Sequence, residues 1–157
     1  MREALRLFDL SKEYADSGSE RHLSTRWGTF ENAMSELIGV QVGGGDPVSD
    51  TELAEFRSEV ISRIDADRHA FSVCIGHALD SAVTGRWEEA FIRRSAIQLL
   101  LDDYPGSSDL LYDQNLDELK EMDEILRSSA EYADDVPDYP MLRGLPPTHW
   151  WWPFLAA

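Results

Sequence analysis

One apolar stripe, Leu23, Trp27, Phe30, Met34, Leu37 and Ile38, commits this chain to helix. Spacings of three and four put these residues on a single face of an α-helix, whereas a strand would scatter them over both faces. The same period returns in Leu7, Leu10 and Tyr14 (with Leu5 and Phe8 beside them), and in Ile61, Ile64, Phe71, Ile75, Ala78 and Ala82. It appears once more in Leu119, Met122, Leu126 and Ala130. No stretch shows the β-branched alternation of strands. The expected fold class is all-α: a single-domain bundle of about five helices over residues 1–138, with an irregular Pro/Trp-rich C-terminal tail, 139–157, packed on it.

Boundary signals divide the bundle. Ser17 and Glu20 have capping-box spacing, as do Ser49 and Glu52, which open a long helix expected to run to about Val83. Gly28, inside its helix, predicts a close helix–helix approach. Gly43-Gly44-Gly45-Asp46-Pro47 lacks the following Lys-Ser/Thr of a phosphate loop and reads as a connector. Thr84-Gly85-Arg86 turns the chain into a helix from Trp87 to Leu101, where Ile92 and Leu99 fall off the main stripe and predict burial on two sides. Pro105-Gly106-Ser107-Ser108 ends it, and the last helix is expected from near Asn115. The turn Gly85-Arg86-Trp87-Glu88-Glu89-Ala90 resembles the one between the two helices of a tetratricopeptide repeat. Arg94 stands where that repeat carries a large aromatic residue, and stacked repeats need at least three units. A helical scaffold is what that resemblance would imply.

Composition limits the partners. With 157 residues, 43% of them hydrophobic, the chain can bury a core despite a net charge of −16. That charge disfavours nucleic-acid phosphate and anionic membrane and favours basic proteins. Cys74 is the only cysteine, and the N-terminal MREALRLFDLSKEY is no signal peptide, so a soluble, cytoplasmic protein is expected.

Signals for chemistry are sparse. Four histidines are present, His22, His69, His77 and His149, without His-Glu-x-x-His or paired Glu-x-x-His motifs. His69 and His77 share one expected helix, so a helical-bundle metal protein or enzyme using them is one alternative, and locally hydrogen-bonded histidines are the other. Cys74, among apolar neighbours, is expected to pack rather than react. No catalytic residue, metal or cofactor is assigned.

Charge is concentrated instead. From Asp102 to Asp138 thirteen carboxylates face only Lys120 and Arg127, a net −11 within the chain's −16. On the last helix Asp117, Glu121, Glu124 and Glu131 recur opposite Leu119, Met122 and Leu126, with like charges at i,i+4. Asp123–Arg127 and Glu89–Arg93 have the favourable acid-before-base order. The stripe is either a solvated face that keeps the protein soluble or a landing surface for a basic partner.

Prolines 140, 146 and 147 stop any helix in the tail, and Trp150-Trp151-Trp152 offers large aromatic area either to the bundle or to a partner. Leu145-Pro146-Pro147-Thr148-His149-Trp150-Trp151-Trp152 resembles the Trp-rich C-terminal segment of bacterial immunity proteins from contact-dependent growth-inhibition systems. That resemblance implies binding and blocking of a cognate toxin, often a basic nuclease. The expected contacts are the carboxylates of Asp109, Asp113, Asp117, Glu121, Glu124, Glu131, Asp134 and Asp135. Tyr132, Tyr139, Trp150 and Trp151 are the expected apolar anchors. A DNA-mimic inhibitor of a nucleic-acid-binding protein is the related alternative.

Overall fold

The structure, a computed structural model, describes residues 1–43, 48–129 and 140–152. Its six α-helices are α1 (Arg2–Asp16), α2 (Glu20–Val42), α3 (Asp50–Ala66), α4 (Arg68–Val83), α5 (Trp87–Asp103) and α6 (Asp113–Ser128). Short 3₁₀ turns cover Ser107–Leu110, Pro140–Gly144 and Pro147–His149, and no strand occurs among the described residues. The all-α expectation therefore holds.

The sixth helix arises where the sequence reads as one. The expected helix from Ser49 to Val83 is broken at Asp67 (φ −141°, ψ 52°), which ends α3 and begins α4. No Pro or Gly marks the break. Its cause is tertiary: the Asp67 carboxylate accepts from the Arg26 guanidinium of α2, and both side chains are nearly buried. The change of direction lets α3 lie on α1 while α4 packs against α2, α5 and α6. At the start of α3 the Ser49–Glu52 box forms as read, with Glu52 N–H donating to Ser49 Oγ at 3.2 Å. Hydrogen bonds from Ser49 hold the Glu52 carboxyl below its ordinary pKa.

Three other local expectations are corrected. Ser17 and Glu20 form no box; Ser17 Oγ instead donates to the Tyr14 carbonyl at 2.9 Å and meets His22 Nδ1 at 2.8 Å. Gly28 is exposed, and a Cβ there would touch nothing within 4 Å, so it mediates no close approach. Helix α1 buries Ala4, Phe8 and Ser11 rather than the Leu7–Leu10–Tyr14 edge, because Phe8 stacks edge-on against Phe30 with ring centroids 5.2 Å apart.

Phe30, Met34 and Leu37 of α2, Phe71, Ile75 and Ala78 of α4, and Ile97, Leu99 and Leu100 of α5 form the centre of one continuous core. Burying each of the larger side chains contributes about 1.5–3 kcal/mol. As expected, α5 is central: it packs on α2 and α4 and also receives the Pro147–His149 turn. Gly85, at φ +70°, makes the α4–α5 turn in a conformation that only glycine adopts without strain.

Candidate functional site

The rotation of α6 is fixed by one buried amide. Asn115 accepts from the Tyr112 N–H at 3.1 Å, capping the helix, and donates to Ser72 Oγ of α4 at 2.9 Å and to Glu118 at 3.0 Å. The helix thus starts at Asp113, slightly before the position read from sequence. Leu119, Met122 and Leu126 face inward. Asp113, Asp117, Glu121 and Glu124 are consequently all exposed, in one row about 16 Å long at 1.5 Å rise per residue.

The row is distinguished by placing four carboxylates on successive turns of a single helix face. On α1–α5 many exposed acids are met by bases: Glu3 by Arg6, Asp16 by Lys12, Asp9 and Glu59 by Arg63, Asp65 by Arg68, Asp80 by Arg86. Glu13, Glu20, Glu36, Asp50, Glu52 and Glu55 are exposed without an ion pair among the described residues but are spread over three helices. Glu89 forms the expected i,i+4 pair with Arg93 at 3.1 Å. Among the described residues no cationic group lies within 4 Å of the four carboxylates of the row. The two bases of α6 do little to change that. Lys120 borders the row by helical geometry, and Arg127 lies over the Trp150 ring, 4.9 Å from its centroid. Arg127 is therefore not the partner of Asp123, contrary to the sequence reading. Asp123 instead holds Arg94 of α5 with two bonds, at 2.9 and 3.1 Å.

Two apolar residues that the sequence reading did not select complete this face. Tyr112 and Leu116 are 47% and 54% exposed, one turn apart at the start of α6. Leu116 falls between the Leu119–Met122–Leu126 stripe and the row, and Tyr112, the N-cap residue, lies at the edge of that stripe. Asp109 is exposed as well, in the preceding 3₁₀ turn, where its backbone carbonyl accepts from Arg68 Nη1 at 3.0 Å. Glu131, Tyr132, Asp134, Asp135 and Tyr139 lie outside the described residues.

Of the two roles open to the tryptophans, bundle and partner, two of them take the first. Trp151 and Trp152 are buried, and their indole N–H groups both donate to Ser95 Oγ, at 3.0 and 2.8 Å. Arg94 lies over the Trp151 ring at 4.7 Å, and Trp152 meets Phe91 edge-on at 5.3 Å. Trp151 is thus an internal anchor, and only Trp150 remains half-exposed. A polar ladder along α5 ties helix to tail: Asp123 to Arg94, Arg94 to Gln98 (2.9 Å), Gln98 to Asp102 (2.6 Å), Asp102 to Thr148 (2.9 Å).

Neither histidine of the metal reading shares a site with the other. His69 packs edge-on against Trp27 at 5.7 Å, whereas His77 Nδ1 meets Glu31 Oε1 at 2.5 Å. Eight residues of helix separate them by about 12 Å, beyond the span of one ion. Among the described residues no three His, Cys, Asp or Glu side chains are grouped as a metal needs. Cys74 is buried, and burial, reinforced by Glu31, pushes its thiol up to about 12, consistent with a packing role. An apolar cleft between α2, Ile92 and Leu142 has Glu36 as its one charged lining residue and assembles no acid–base pair. No described helix is long and apolar enough to cross a membrane.

No protein-family model, curated protein or solved structure matches the chain. The functional reading therefore rests on the chain's own chemistry. Its clearest feature is an acidic helix face without internal counter-ions, edged by two exposed apolar side chains.

Proposed function

We propose that this protein is a non-enzymatic inhibitor of the immunity type, acting in a reducing cytoplasm and binding one basic protein through the outer face of α6. The observation that carries the reading is the clustering of unpaired carboxylates on one face of α6. Asp113, Asp117, Glu121 and Glu124 are exposed on one helix face with no ion-pair partner among the described residues, whereas the other unpaired acids, such as Glu13, Glu36 and Glu55, are spread over α1–α3. Four like charges on consecutive turns destabilise the helix slightly, by a few tenths of a kcal/mol per i,i+4 pair. A positive partner surface removes that repulsion on contact, and the field of the row speeds encounter. Tyr112 and Leu116 supply the apolar contact that charge alone lacks, since binding hot spots centre on buried aromatic and aliphatic groups. A toxin with a basic active-site cleft has the complementary chemistry, in keeping with the resemblance of the Trp-rich segment.

The DNA-mimic reading draws on the same row but has less support. A single straight line of four carboxylates presents one strand of charge, not the two that flank a duplex groove. Affinity capture from the native organism's lysate tests the main reading, with the intact protein compared to an Asp117→Asn/Glu121→Gln/Glu124→Gln variant. One basic protein should be retained by the former, eluted by rising salt, and lost from the latter. Equal capture by both proteins overturns the assignment of the face.

A further inference from the structure

Residues 140–152 are held on the bundle by Leu142, Leu145, Trp151 and Trp152, and among these apolar groups sits a histidine with nothing to bond to. His149 is fully buried, and neither ring nitrogen has a hydrogen-bond partner. Its ring lies against Trp151, with centroids 5.2 Å apart. The charged groups acting on it come from α5: Asp102, and Arg94, which lies over the Trp151 ring. From α6, Asp123 is engaged by Arg94, and Arg127 covers Trp150. Arg143, exposed, is the other charged side chain described in the tail. An imidazolium in this position would have two buried N–H donors without acceptors and a guanidinium nearby.

We propose that residues 140–152 form an acid-released strap in which His149 is the proton-sensing group, and that release uncovers Trp151, Trp152 and the Ser95 face of α5. Burial is the chief force on His149, lowering its pKa from 6.5 to about 4; Arg94 lowers it further and Asp102 partly opposes. The docked strap therefore binds its proton later than the free strap does. Docking is at full strength above pH 6.5, weakens as pH falls below that value, and stops weakening near pH 4. Over that window the docking equilibrium falls by about three hundredfold, since each pKa unit is a factor of ten. Release also frees Arg127 from Trp150, placing a mobile cation beside the acidic row of α6.

The full-length protein and a His149→Phe variant test this by tryptophan emission and far-ultraviolet ellipticity between pH 7.5 and 3.5. Phe fills the pocket and carries no proton. The wild-type emission should shift to the red with a midpoint between 4 and 6.5, and the variant should hold its emission at least one pH unit lower. Coincident midpoints overturn the proposal, because carboxylate titration common to both proteins would then account for the change. Should the variant fail to fold, proton NMR of the wild-type His149 ring decides. Titration near 4 supports the strap, and titration at its ordinary 6.5 refutes it.

Discussion

Trp152 donates its indole N–H to Ser95 Oγ at 2.8 Å in the middle of the bundle. The same oxygen accepts Trp151 at 3.0 Å, so one hydroxyl with two lone pairs satisfies two buried donors. Ser95→Ala removes this shared acceptor and adds no bulk. A buried donor left unpaired costs about 1–3 kcal/mol, which puts the expected loss for the pair at about 2–6 kcal/mol. Urea denaturation followed by tryptophan emission measures it. A loss below 0.5 kcal/mol would mean that the rings are held by packing alone.

Arg94 is the junction between α5, α6 and the tail. Its side chain is 7% exposed and that of Asp123 20%. Asp123→Ala would leave a nearly buried guanidinium without its counter-ion, at a cost of about 3–5 kcal/mol. Replacing both partners at once, as Arg94→Met with Asp123→Leu, should recover most of that loss. A double-mutant cycle in urea checks the coupling, and strictly additive losses would show that the pair acts as two separate contacts.

Gly28 lies in mid-helix, exposed, and a Cβ there meets open space. Gly28→Ala should therefore stabilise the protein by about 0.5–1 kcal/mol through helix propensity and a less flexible unfolded chain. Gly85→Ala should act in the opposite sense, because that residue has φ +70°. Thermal melts of the two variants should move in opposite directions.

Periodicity made the helices legible, and for a physical reason: a stripe such as Phe30–Met34–Leu37 is set by the 3.6-residue repeat itself. The outward face of α6 was legible on the same ground, as the complement of Leu119, Met122 and Leu126. What escaped depended on partners far away in the chain. The Asp67 break follows from Arg26, more than forty residues earlier, and no local residue signals it. Asp123 has a tempting base at Arg127 but bonds Arg94, because the tail draws Arg127 over Trp150. The fate of the tryptophans was undecidable from composition, since the deciding group, Ser95, is one small residue on another helix.

The charge row of α6 makes the final prediction a kinetic one. Exposed charges act over roughly a Debye length, about 10 Å at 0.1 M salt, so they influence the approach of a partner before contact. Removing three of them through Asp117→Asn, Glu121→Gln and Glu124→Gln should lower the association rate with the captured basic partner by about tenfold or more at low salt. The rates of wild type and variant should converge as salt rises. The fold should remain intact, or gain slightly, because the like-charge repulsion along the helix is relieved. Tyr112→Ala and Leu116→Ala should instead leave association nearly unchanged and hasten dissociation, since apolar anchoring is felt only after the surfaces meet. Stopped-flow association and surface-immobilised dissociation separate the two effects. If the charge variant altered only dissociation, the row would be a contact surface and not a steering one.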